Sequence, residues 1–250
     1  MIDPRFALPL AALAATLPAL PAQAQSLPIV SGSIEATTDH RRRGLSWSDG
    51  DPALDAYVEA PFIAGVEVNA RATTLRSSQR HDGADAVFDL GGKFTKGFGG
   101  ITASAGATGH LFAGGASDLD YVEVNAGVGA LLGPAQLDLT ADYAPDQDAI
   151  GGDNLYLRAR GSVAVIGTPF TVAAHVGHST GSTDDVLRAA RLRPTGDYTD
   201  WGATAEYVVG PVIVGARYSG TSVDTDQLAP VLADIDDSGD RLTAHVALVF

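Results

Sequence analysis

The chain has 250 residues, 29 of them glycine and none cysteine, with a formal net charge of −14 at pH 7. An acidic chain lacks the positive field that nucleic acid requires, so nucleic acid is excluded as a partner. Without cysteine there is no disulfide framework, no thiolate metal site and no thiol nucleophile.

The first residues, Met1-Ile2-Asp3-Pro4-Arg5, lead into an apolar run over Phe6–Ala15 that ends in the small-residue stretch Ala22-Gln23-Ala24. This order of short positive start, short apolar centre and A-x-A site predicts a secretory signal peptide over residues 1–24. Residues 25–250 are then one mature domain, exported through the periplasm.

Beyond the cleavage site the chain alternates with period 2. Val30, Ile34 and Ala36 stand opposite Ser31, Ser33 and Glu35; Leu54, Ala56 and Val58 opposite Asp55, Tyr57 and Glu59; Val66, Val68 and Ala70 opposite Glu67, Asn69 and Arg71. The pattern recurs near 84–94, 101–110, 121–128, 136–143, 155–163, 170–176, 201–209, 212–219 and 241–250. Such alternation makes strands with one apolar and one polar face. About twelve strands of about 9–11 residues are expected, the length that crosses a bilayer obliquely. Short turns are expected near 61–63, 95–99, 132–134, 167–169 and 210–211. They alternate with long segments near 39–51, 75–83, 111–118, 144–154, 179–197 and 220–239. Short turns on one rim and long loops on the other describe an all-β antiparallel transmembrane barrel of the bacterial outer membrane. Tyr143, Trp201, Tyr207 and Tyr218 fall on the apolar parity, as residues of an interfacial aromatic girdle would. The last stretch, Arg241–Phe250, ends the chain on an apolar strand, which a barrel tolerates because its last strand pairs with its first.

The stretch Thr38-Asp39-His40-Arg41-Arg42-Arg43-Gly44-Leu45-Ser46-Trp47-Ser48, followed by Asp51-Pro52-Ala53, resembles the opening signature of the TorF family of porins. In that signature a first strand runs into S/T-D-Y-x-F-R-G-x-S-x-S-x-x-x-P-A. Phe62-Ile63-Ala64-Gly65-Val66 and Tyr198-Thr199-Asp200-Trp201 resemble later segments of the same family. His40 and Arg42 stand where the family usually carries aromatics. The resemblance implies an outer-membrane pore and carries over no catalytic residue. Phe250, with Leu248, Val246 and Leu242 at alternate positions, resembles the C-terminal signature by which the outer-membrane assembly machinery selects its barrels.

If the apolar parity faces lipid, the other parity lines the lumen. Its acids are Glu35, Asp55, Glu59, Glu67, Asp85, Asp89, Glu123, Asp138, Asp142 and Glu206; its bases are Arg71, Lys93, Arg158, Arg160, Arg217 and Arg241. Most acids come from the first seven strands and most bases from the last five, so two opposed walls of opposite charge are expected. Such a lining suits passive diffusion of small hydrophilic solutes or ions with a mild cation preference. Arg41, Arg42 and Arg43 on the first long loop are expected to meet lipopolysaccharide phosphates. The competing expectations are a plugged structural or adhesin-like barrel and an enzymatic outer-membrane barrel. No nucleophile motif stands out, so no enzyme is expected. The acidic run Asp234–Asp240 starts like a calcium loop, but His245 stands where the bidentate Glu belongs; no metal or cofactor is expected.

Overall fold

The computed structural model describes residues 30–226 and 230–250. The signal peptide expected at 1–24 lies outside the described residues. The described chain is mostly strand: β1 (Ser31–Thr37), a small hairpin of β2 (Arg41–Arg42) and β3 (Leu45–Ser46), then β4 (Ala53–Ile63), β5 (Val66–Ser78), β6 (Ala84–Phe98), β7 (Ile101–Ala113) and β8 (Tyr121–Leu132). There follow β9 (Ala135–Gln147), β10 (Gly152–Ala164), β11 (Phe170–Thr180), β12 (Tyr198–Val209), β13 (Val212–Thr221) and β14 (Arg241–Val249). Twelve of these strands close an antiparallel barrel in chain order, and β2–β3 form a separate two-stranded sheet. The twelve-strand expectation therefore holds.

Closure occurs where β1 meets both β4 and β14. Ile34 faces Leu248 and Glu35 faces Ala247 on one side; Ile34 faces Ala56 and Glu35 faces Asp55 on the other. The two chain ends complete the seam, with Gly32 N–H donating to Phe250 O at 2.9 Å and Phe250 N–H to Gly32 O at 3.0 Å. Closure leaves no unpaired edge. A Cβ on Gly32 would stand 2.6 Å from Tyr57 O and 2.7 Å from Phe250 Cζ, so only glycine lets the terminal ring lie over the seam.

Alternation sorts the side chains as the sequence reading required. Ile34, Val58, Leu90, Val124, Leu139, Val176, Val214 and Val246 are exposed on the outer face. Tyr143, Trp201, Tyr207 and Tyr218 share that face. An apolar exterior of this extent fits hydrocarbon rather than water. Short connections at 64–65, 99–100, 133–134, 165–169 and 210–211 lie on one rim, and the long ones on the other. Pro61-Phe62-Ile63, expected to turn, instead continues β4 past a register shift between Pro61 and Ile63. Proline has no N–H for the ladder, so it breaks the register without ending the strand. The turn falls on Ala64 and Gly65, where Gly65 has φ +76. Several strands outrun the expected length; β6 has 15 residues and runs on through 95–98, where a turn was expected.

The candidate channel interior

The first long loop does not stand outward. It folds into the barrel as the β2–β3 hairpin, with Arg41 opposite Ser46 and Arg42 opposite Leu45. Arg43 (φ +52) and Gly44 (φ +75) make its two-residue turn. Positive φ at both central positions is the turn that matches strand twist. A Cβ on Gly44 would meet Thr221 Cγ2 at 2.5 Å, so the hairpin tip lies tight against the wall at β12 and β13. Asp39 organises the base: its carboxylate accepts from Ser46 Oγ at 2.6 Å, Ser48 Oγ at 3.2 Å and Arg41 Nη1 at 3.0 Å.

This fold turns the arginines inward. Arg42 pairs with Asp89 of β6. Arg43 Nη2 donates to Glu123 of β8 at 2.8 and 2.9 Å and lies 3.8 Å from Asp142 of β9. Its guanidinium sits 4.6 Å from the Tyr156 ring centre, and that of Arg42 sits 4.4 Å from Trp47. His110 of β7 bridges the two acids, 2.8 Å from Asp89 and 3.3 Å from Glu123. Tyr198 Oη donates to Arg43 O at 2.9 Å. The side chains of Arg41, Arg42 and Arg43, expected at lipopolysaccharide, are largely buried here: Arg42 and Arg43 latch onto the lumen wall, and Arg41 ties the hairpin base to Asp39 and to Gly239 O.

Above the hairpin the other long loops fill the mouth with a core of their own. Trp47, Leu75, Val87, Leu119, Tyr121, Ile150 and Leu192 are buried together, with Phe112 against them. Trp47 meets His81 edge-on at 4.3 Å. Two fully buried arginines tie the loops through backbone carbonyls. Arg80 donates to Ser46 O at 2.9 Å and Asp234 O at 2.8 Å; Arg191 donates to Ala149 O at 2.6 Å and Leu119 O at 3.2 Å. Most of these donors go to neutral carbonyls, which crosslinks loops that share no secondary structure; Arg80 also lies 3.7 Å from the Asp234 carboxylate. Burial, then the neighbouring Arg191 and Arg80, holds His81 well below the usual histidine range. Burial, then Arg42, does the same to His40. Burial pushes Asp234 up to about 6, against the opposing pull of Arg80.

Beneath the hairpin lies a cavity of about 630 Å³ lined by polar and charged groups. Glu35, Asp55, Arg71, Asp89, Glu123, Asp142, Arg158 and Arg217 line it. Many are paired: Arg217 with Glu35 at 2.6 Å, and Arg71 with Asp55 at 3.3 Å. Glu59, Glu67, Lys93, Asp138, Arg160 and Glu206 share the inward parity outside the cavity lining. Lys93 reaches Glu67 at 3.4 Å, and Glu206 reaches His245 at 3.2 Å. Two expected lumen residues fall elsewhere. Asp85, at the loop end of β6, is exposed and accepts at 2.8 Å from Ser77 Oγ in the irregular stretch of β5 between Thr74 and Ser78. Arg241 is exposed at the mouth and donates to Gly50 O at 3.3 Å.

Sequence reasoning missed the polar cluster on β10 to β12. Tyr156 Oη donates to Asp200 at 3.2 Å, and His175 Nε2 lies 3.1 Å from the same oxygen, with Asp200 fully buried. Extending the β12 parity back from Thr204 by two pairs would have found Asp200.

Fold and interior define a closed outer-membrane-type β-barrel whose first long loop folds into a charged lumen. The chain belongs to the family described as "Bacterial protein of unknown function (Gcw_chp)", whose model matches residues 21–250. No curated protein matches it in sequence. Among solved structures it is similar to a KdgM porin at 7% identity, with a TM-score of 0.59 over 88% of this chain and 99% of that one. It is also similar to the COG4313 outer membrane channel from Pseudomonas putida F1 at 12% identity, with a TM-score of 0.51 over 91% and 97%. At these identities the likeness concerns the fold: a porin-like barrel.

Proposed function

We propose that this chain is a channel of the Gram-negative outer membrane that passes small hydrophilic solutes or ions by passive diffusion, with a mild preference for cations. The observation that carries the reading is a closed twelve-strand barrel, apolar outside, enclosing a charged cavity of about 630 Å³. An apolar exterior supports a place in the outer membrane, and a charged interior supports transport. The resemblance of the 38–53 stretch to TorF-family porins supports the same reading. Inward carboxylates (Glu35, Asp55, Glu59, Glu67, Asp89, Glu123, Asp138, Asp142, Asp200, Glu206) outnumber the inward cations (Arg42, Arg43, Arg71, Lys93, Arg158, Arg160, Arg217). That surplus is the basis of the cation preference. Phe250, over the closing seam, serves as the signature for the assembly machinery.

The loop core over the mouth favours a second reading, a barrel closed at rest or plugged for a structural role. Planar-bilayer recording of the refolded barrel separates them. Cation-selective currents support the channel; anion selectivity refutes the preference. Silence in the native protein and in variants with a loosened hairpin leaves the structural barrel.

A further inference from the structure

Pairing leaves an imbalance inside the lumen. Arg42, Arg43, Arg71, Lys93 and Arg217 each have a carboxylate oxygen within 4.0 Å. Arg158 and Arg160 on β10 have none among the described residues. They share one face of the strand, about 7 Å apart along it at two residues of extended rise.

Their neighbours explain why they stay unpaired. Arg158 lies in register with Thr140 on one side and Gly177 on the other; Arg160 lies between Asp138 and His175. Asp138 is already held by Gln136 Nε2, at 2.8 and 3.0 Å from its two oxygens. His175 is held by Asp200, and Asp142 lies nearer to Arg43. Arg158 Nε and Thr140 Oγ1, on directly opposed residues, are both buried atoms without a hydrogen-bond partner. Arg158 also lines the cavity. Buried donors without partners are costly unless something completes them.

We infer that Arg158, Arg160 and Thr140 form a binding site for the anionic group, carboxylate or phosphate, of a small hydrophilic solute. A guanidinium presents parallel donors that match either oxyanion, the hydroxyl adds a third, and the second arginine supplies charge one step along the lumen. The remaining acids of the interior lower the affinity for a bare anion without abolishing it, and a hydroxylated or cationic body on the solute raises it. Conduction requires such a site to be weak enough to release its guest.

The site rests on the reading of the lumen as water-accessible, but its test needs no current. Isothermal titration of the refolded full-length barrel in detergent would use inorganic phosphate, succinate and uncharged sorbitol. Saturable binding of phosphate or succinate, and none of sorbitol, is expected; the preferred anion distinguishes the two chemistries. R158Q/R160Q should weaken binding at least tenfold, T140V severalfold with the charges intact, and K93Q not at all. Heat-modifiable mobility establishes that each variant is folded. Absence of saturable anion binding, or equal affinity in T140V and in R158Q/R160Q, overturns the site whatever the conductance. Binding without any current would overturn the channel and leave the site.

Discussion

Arg43→Ala tests the latch that holds the hairpin inside the barrel. The guanidinium contacts Glu123 at 2.8 Å with both side chains largely buried, 14% and 8% exposed. Removing one partner of a buried ion pair costs about 3–5 kcal/mol, because the other charge stays desolvated. Glu123 keeps His110 at 3.3 Å, which softens the loss. The Tyr156 ring loses its cation, worth about 1 kcal/mol. A net loss of about 3 kcal/mol is reasonable for hairpin docking, a shift of about 100-fold in the docked-to-undocked ratio. Two assays read it. Trypsin should cut after Arg41 and Arg42 far faster in the variant, and single-channel recordings should show more frequent or larger openings. The double change with Glu123→Gln should cost less than the sum of the singles, since the two groups share one interaction. A folded Arg43→Ala barrel with native protease resistance and native currents would refute the latch.

Other expectations follow from the same geometry. Trp47→Ala should cost about 3–5 kcal/mol of loop-core stability, since the indole is 4% exposed, while barrel closure survives; loop proteolysis with unchanged heat-modifiable mobility would show this. Gly32→Val should impair folding by about 1–3 kcal/mol or more through overlap with Tyr57 O and the Phe250 ring, and deleting Phe250 should lower assembly in the outer membrane; native yields of folded barrel for both would count against the seam. The loop cap should respond to pH in two opposite senses. His81 and His40 are held below the unfolded value of about 6.5, so their contribution is present above that pH and is lost as pH falls below it. Asp234, raised to about 6, contributes stability that is present below its unfolded value and lost as pH rises toward 6. Asp234→Asn should therefore leave a cap that only loosens on acidification, measured as loop protease resistance from pH 4 to 8.

The barrel was written locally. Period-2 alternation in stretches such as Val122–Val128 and Leu137–Tyr143 needs no distant information, because a strand's two faces meet different solvents whatever its neighbours. Loop lengths fixed which rim was which, and the polar parity fixed most of the lumen, including Glu35, Asp89, Glu123 and Arg217. Parity stops predicting the lumen at the strand ends, as at Asp85 and Arg241, where the wall opens into the loop layer and a side chain meets the loops rather than the interior.

What the sequence could not decide is where a long loop goes. Arg41, Arg42 and Arg43 read as surface cations because nothing near them in the chain is their partner; Asp89 and Glu123 lie 47 and 80 residues away. The inward turn became favourable only once the five strands β6 to β10 had brought those carboxylates, His110 and Tyr156 to one wall, and once Trp47, Leu119 and Leu192 from separate loops could share one core. Alternation is a property of neighbours along the chain and survives in one dimension. Charge pairing and loop packing are properties of neighbours in space, and only the closed barrel supplies those.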